Sequence, residues 1–141
     1  MTRRRRTRTL PALAACLIAV TPGETILAAP QGEWAQAIAA YDRGDHATAH
    51  RLLLLLAERG DADAQYDLGV MYHSGEDFPT DFVQAWKWYE LAASGFTPEE
   101  QSMRDRALKN RDRVAAMMTP AQLAQAQRLA REWRPAARAA R

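Results

Sequence analysis

Apolar residues recur at helical spacing from about residue 32 to residue 133. In the first such segment, Trp34, Ala37, Ile38 and Tyr41 stand at positions i, i+3, i+4 and i+7, which is the pattern of one helix face. Further helices are predicted at about 46–58, 62–73, 82–94, 98–118 and 120–133. No segment alternates as a half-buried strand does. The pattern therefore predicts an all-α chain of about six helices.

Capping residues delimit these helices. Asp45, Asp61 and Asp81 each precede a predicted helix, where an aspartate accepts hydrogen bonds from N–H groups of the first turn. Gly60 stands where a left-handed C-cap belongs, and Thr97-Pro98-Glu99-Glu100 has the pattern of a capping box. The run Leu52–Leu56 is expected to be buried on nearly all sides.

The chain repeats itself. Tyr41-Asp42-Arg43-Gly44 has a later counterpart in Tyr72-His73-Ser74-Gly75, and Ala57-Glu58-Arg59-Gly60 has one in Ala92-Ala93-Ser94-Gly95. The period lies in the low to mid-thirties. A period of this length built from two helices indicates stacked αα-hairpins, which form an α-solenoid.

The second unit resembles a Sel-one-like repeat, a member of the tetratricopeptide-like solenoids. The matching residues are Ala64-Gln65-Tyr66-Asp67-Leu68-Gly69-Val70-Met71-Tyr72, Gly75, Pro79, Asp81, Ala85, Trp88-Tyr89, Ala92-Ala93 and Gly95. The sequence departs from the family at Asp77-Phe78, where Gly-Val is usual. The resemblance implies a short right-handed α-solenoid with unit one at 33–60, unit two at 61–95 and a C-terminal capping hairpin at 97–133. A tail follows at 134–141.

The resemblance also implies a function. Sel-one-like proteins mediate protein–protein interactions, and the first helix of each hairpin lines the concave face of the solenoid. Applied to this sequence, that arrangement predicts a partner-binding surface at five positions: Asp42, Asp63, Tyr66, Val70 and His73. We therefore expect a non-enzymatic adaptor or scaffold with a protein or peptide partner.

The segment 1–28 has the three-part plan of a secretory signal peptide. Five arginines fall within residues 3–8, an apolar run covers 10–20, and small residues follow at 28–29. That run is shorter than the roughly 20 residues a bilayer requires. The segment predicts export to the periplasm or secretion, in a bacterial cell envelope. Retention as an uncleaved anchor, lipidation at Cys16 and a twin-arginine signal are the weaker alternatives.

Net charge changes when that segment is set aside. The chain carries a formal +2, and residues 1–28 hold five arginines and one glutamate, so residues 29–141 carry −2. A nucleic-acid partner is therefore not expected, although arginines recur at the C-terminal end: Arg128, Arg131, Arg134, Arg138 and Arg141.

No residue pattern in the sequence predicts catalysis or a cofactor. His46 and His50 have a spacing that suits zinc, but no third ligand accompanies them, so they are interpreted as surface histidines and no metal is expected. The serines lie outside known nucleophile motifs. Trp86, Trp88 and Tyr89 are expected to fill the core between hairpins. Two other functions stay open: an immunity protein of the envelope, and a hydrolase related to β-lactam-binding members of the family, which carry cysteine pairs that this chain lacks.

Overall fold

The computed structural model describes residues 30–76 and 78–136. Six α-helices form this part of the chain: α1 (Pro30–Asp42), α2 (His46–Glu58), α3 (Ala62–Ser74), α4 (Phe82–Gly95), α5 (Gln101–Ala115) and α6 (Pro120–Glu132). A short 3-10 turn at Pro98–Glu100 leads into α5. The described residues contain no strand, so the all-α prediction is confirmed. The predicted signal segment, residues 1–28, lies outside the described residues, as does the end of the tail at 137–141.

The predicted caps are confirmed by hydrogen bonds. The carboxylates of Asp45, Asp61 and Asp81 accept from backbone N–H groups three residues later, at 3.1, 2.9 and 3.0 Å. The capping boxes that begin at Thr97 and Thr119 are both formed. Because each of these bonds is local to one helical turn, the sequence suffices to place the helix starts.

The first four helices are arranged as two stacked hairpins. Helix α1 packs on α2, α3 packs on α4, and α2 packs on α3, while α5 and α6 both pack against α4. Gly44 and Gly75 follow α1 and α3 with φ of +79° and +67°, a conformation that favours glycine. They occupy the same place in the two repeat units, and the α-solenoid of helical hairpins is confirmed.

The core lies between the hairpins. Trp88 of α4 packs with Leu53 and Leu56 of α2 and with Leu68 of α3, between the first and second hairpins. Tyr89 and Trp86 pack against side chains of α5 and α6. Trp86, Trp88 and Tyr89 are 8%, 2% and 0% exposed, so their predicted core role is confirmed.

One close contact sets the approach of α3 to α4. A Cβ atom added at Gly69 would lie 2.6 Å from Cδ1 of Tyr89, far inside the contact distance of two carbon atoms. Glycine at this position therefore lets the tyrosine ring lie directly against the α3 backbone.

Three expectations from the sequence were wrong in detail. Leu55 is 49% exposed, because α2 turns only one side toward α1 and α3. Tyr41 is 37% exposed, and the buried residues of α1 are Ala37 and Ala40. The fifth helix ends at Ala115 rather than near residue 118, because Ala116–Met118 form a turn before the cap at Thr119.

The C-terminal residues turn back toward the first hairpin. The backbone N–H of Ala136 donates to the carbonyl of Glu58 at 2.6 Å. Pro135 and Trp133 lie beside Gly60 at the α2–α3 turn. None of the described helices has the length and apolar character needed to cross a membrane.

Candidate functional site

One side of α3 presents a stripe of polar and apolar residues. Asp63, Tyr66, Asp67 and Val70 stand at i, i+3, i+4 and i+7, so their side chains leave the same face of the helix. Asp63 is exposed and Val70 is 39% exposed, whereas Tyr66 and Asp67 are half-buried.

Hydrogen bonds connect this stripe to the helices on both sides. Trp34 Nε1 of α1 donates to Asp67 Oδ2 at 3.0 Å. Asn110 Nδ2 of α5 donates to the Tyr66 hydroxyl at 3.1 Å. Helices α1 and α5 therefore each meet α3 through one side-chain hydrogen bond, and side chains of α3 and α5 share one surface. We call it the odd-helix face; its central residues are Asp63, Tyr66, Asp67, Val70, Arg106, Asn110 and Arg113.

Helix α5 contributes a basic stripe to the odd-helix face. Arg106 and Arg113 stand four positions before and three positions after Asn110, so they share its side of the helix. Both arginines are exposed, and neither forms an ion pair within the part of the chain that the structure describes. Ala107 and Val114 each follow one of these arginines in sequence, so they lie about 100° further around the helix, and both are buried.

Charge is distributed unevenly on α3. Burial raises the pKa of Asp67 to about 6, the Trp34 hydrogen bond opposes that rise, and the carboxylates of Asp63 and Asp61 add to it. The pKa of Asp63 is also raised, first by burial and then by Asp61 and Glu100. Burial and neighbouring carboxylates therefore both favour the neutral form of these two side chains.

The structure places the five predicted site residues differently. Asp63, Tyr66 and Val70 lie together on the odd-helix face. His73 is half-buried, with Nδ1 3.4 Å from the Tyr89 hydroxyl. Asp42 is exposed at the last position of α1, at the end of the helix away from Trp34. Their role in binding a partner stays a prediction.

Sequence reasoning missed the part of the face that α5 provides. From the sequence, Asn110, Arg106 and Arg113 belong to the predicted capping hairpin at 97–133 and are not among the predicted binding positions. The sequence signal that could have identified them is the pair Ala107 and Val114, which are both buried. Apolar residues seven positions apart mark the buried side of a helix, and Arg106 and Arg113 lie outside that side.

Few large apolar side chains are exposed on the described residues. Three of the four lie on or directly after the helices of the odd-helix face: Tyr41 on α1, Val70 on α3 and Met117 just beyond α5. The fourth is Leu55 on α2. Exposed apolar side chains among charged ones are suited to contact with another macromolecule.

The histidines and serines are engaged in local contacts. His50 Nε2 lies 3.0 Å from the Tyr72 hydroxyl, and its ring packs on Phe78 at 4.8 Å. Burial lowers the pKa of His50, so its interpretation as a surface histidine was wrong. Ser74 and Ser94 donate to backbone carbonyls of their own helices. Within the described residues, no three His, Cys, Asp or Glu side chains are arranged to hold a metal ion.

A shallow cleft of about 400 Å³ opens where α4, α5 and α6 meet. Arg111 on its wall is paired with Glu90 at 2.6 Å and with Asp112 at 2.7 Å. Trp86 lies at its side, beneath the Arg111 guanidinium at 5.9 Å. The charged groups of this cleft are therefore paired with one another.

Residues 62–95 match the protein-family model described as Sel1 repeat. The match covers α3, the loop after it and α4, so this hairpin is similar to a Sel1 repeat. No match was found among curated proteins or among solved structures. Sel1 repeats commonly mediate protein–protein interaction.

Proposed function

We propose that this protein is a non-enzymatic adaptor that holds a protein or peptide partner on the odd-helix face. The observation that carries the proposal is the exposure of Val70 among charged residues. Val70 is 39% exposed on α3, the first helix of the hairpin that matches the Sel1 repeat, and the carboxylates of Asp63 and Asp67 lie on the same helix. The arginines of α5 stand beyond it. An apolar centre with a charged surround is the composition of a recognition surface.

The rigidity of the face supports this function. Side-chain hydrogen bonds hold α1, α3 and α5 to one another at Asp67 and Tyr66. Such a surface loses little conformational freedom when a partner binds, so more of the contact energy is available for affinity.

Substitution of two exposed apolar residues on different faces tests the proposal. Val70→Arg places a long charged side chain at the centre of the odd-helix face. Leu55→Arg does the same on α2, where the leucine is 49% exposed. Full-length tagged protein is crosslinked in intact cells, and the covalent adducts are identified by mass spectrometry.

We expect Val70→Arg to lose the specific adducts and Leu55→Arg to keep them. Far-ultraviolet circular dichroism checks that both variants retain wild-type helicity. Retention of every adduct by Val70→Arg, or equal loss in both variants, would show that the partner does not bind this face.

We further propose that the adaptor acts in the bacterial cell envelope, as a periplasmic or secreted protein. The support is the sequence of residues 1–28, with its arginines followed by an apolar run. Expression of the full chain with a C-terminal tag, followed by fractionation and N-terminal sequencing, tests this. A mature chain that begins near residue 29 in the periplasmic fraction is the expected result; a full-length cytosolic chain contradicts it.

A further inference from the structure

The odd-helix face separates its charges by helix. Carboxylates stand on α3 at Asp63 and Asp67, and guanidinium groups stand on α5 at Arg106 and Arg113. The ion pairs found in the described residues all lie elsewhere: Arg59 with Glu33, and Arg111 with Glu90 and Asp112. Asp63, Arg106 and Arg113 are therefore exposed without an ion pair in the described residues, whereas Asp67 is half-buried and accepts from Trp34.

One hydrogen bond brings the two stripes together. The Tyr66 hydroxyl accepts from Asn110 Nδ2 at 3.1 Å, so side chains of α3 and α5 meet at this point. An extended chain advances about 3.3 Å per residue. A segment of a few residues that crosses this hydrogen bond therefore reaches from one stripe to the other.

We propose that the partner presents an extended segment of mixed charge that crosses the odd-helix face. A basic side chain of the segment binds Asp63 on α3, and an acidic side chain a few residues away binds Arg106 on α5. This inference rests on the proposed function, because it specifies the ligand of the same face.

The electrostatics of each stripe favour this ligand over one of a single charge. A cation at Asp63 would relieve the repulsion from Asp61 and Glu100 that helps to raise the pKa of this carboxyl group. A carboxylate at Arg106 would gain a charge-assisted hydrogen bond. A uniformly basic segment would meet Arg106 and Arg113, and like charges placed together oppose binding.

The test uses a phage-displayed library of random dodecapeptides selected on two proteins. One is the wild type; the other is the charge-exchange variant, Asp63→Arg with Arg106→Asp. We expect the wild type to enrich peptides with a basic and an acidic residue a few positions apart, in the one order that a single binding direction of the peptide backbone gives. The exchange variant should enrich the opposite order.

Affinities of the selected peptides supply the second measurement. Each single change, Asp63→Arg or Arg106→Asp, should weaken a wild-type peptide by about fivefold, as expected for one exposed ion pair turned repulsive. The exchange variant should bind the peptide with reversed charge order as tightly as the wild type binds the original. Circular dichroism and thermal melting confirm that all variants fold.

The contrary results are distinct. If the selected peptides have no common charge pattern but lose binding to Val70→Arg, the mixed-charge ligand is refuted and the proposed interaction face is supported. Peptides that bind Val70→Arg unchanged would refute the proposed face itself. Failure to enrich any peptide would refute an extended ligand. A concentration-dependent dimer that single charge reversals break and the exchange restores would assign the face to a second copy of the chain.

Discussion

Replacing Asp67 by asparagine should stabilise the protein at neutral pH. The carboxyl group lies half-buried between α1 and α3, and burial raises its pKa from the ordinary 3.8 to about 6. Ionisation in the folded state is therefore unfavourable compared with ionisation in the unfolded chain. Asparagine removes this charge and keeps an oxygen that accepts from Trp34 Nε1.

The magnitude follows from the two pKa values, 3.8 in the unfolded chain and about 6 in the folded protein. Each pKa unit is worth about 1.4 kcal/mol, so the whole rise is worth about 3 kcal/mol at most. A raised pKa means that the folded state retains a proton that the unfolded state has lost. This group's contribution is therefore fully present below pH 3.8 and is lost as the pH rises through about 6.

The assay is urea denaturation followed by circular dichroism at pH 4, 5.5 and 7.5. Asp67→Asn and the wild type should have similar unfolding free energies at the lowest pH and diverge toward about 3 kcal/mol at the highest. The burial of His50 lowers the pKa of its ring and gives an opposite pH dependence, but that effect is common to both proteins and cancels in the difference.

Asp105→Asn is the matched control, because Asp105 is an exposed carboxylate on α5 without an ion pair in the described chain. It should change stability by less than about 0.5 kcal/mol at any pH. The reasoning is refuted if Asp67→Asn is no more stable than the wild type at pH 7.5, or if the difference does not vary with pH.

Two further substitutions test the packing beneath the odd-helix face. Gly69→Ala should lower the free energy of unfolding by about 1–3 kcal/mol, since its Cβ would overlap the Tyr89 ring at 2.6 Å. Gly95→Ala is the milder control, because its Cβ would lie 3.1 Å from the Cβ of Ala62. Equal effects of the two substitutions in urea unfolding would contradict the close contact between Gly69 and Tyr89. Tyr72→Phe should lower the same free energy by about 1 kcal/mol, the usual net value of one hydrogen bond. The reason is that His50 loses the hydroxyl at 3.0 Å, and an unchanged unfolding midpoint would show that this hydrogen bond adds nothing.

The sequence predicts the helices of the first two hairpins closely, because their limits depend on local chemistry. Asp45, Asp61 and Asp81 form cap bonds within a single turn. Gly44 and Gly75 adopt positive φ at equivalent places of the repeat. These signals need no knowledge of distant residues.

Burial was predicted less well where tertiary contacts decide it. Five consecutive leucines carry no periodicity, so the exposed side of α2 at Leu55 is determined by the positions of α1 and α3. In the same way, the half-burial of His50 depends on Tyr72 and Phe78, which lie much further along the chain, on α3 and in the loop after it.

The candidate surface was only half predictable for the same reason. The positions on α3 follow from a repeat that the sequence displays openly, and Asp63, Tyr66 and Val70 do share one face. The positions on α5 depend on a bond between Tyr66 and Asn110, which are distant in sequence. A charged helix with only Ala107 and Val114 buried gives little indication of what lies beside it.

Core packing and the outer surface are connected through one aromatic contact. Because Gly69 has no side chain, the Tyr89 ring lies against α3. The same ring contacts Tyr66 at 5.7 Å, and Tyr66 in turn bonds Asn110 of α5. The separation of the acidic and basic stripes is therefore determined by buried residues of the repeat. The charges themselves stand on exposed positions that packing does not constrain, so ligand preference can change through Asp63 and Arg106 while the fold is preserved.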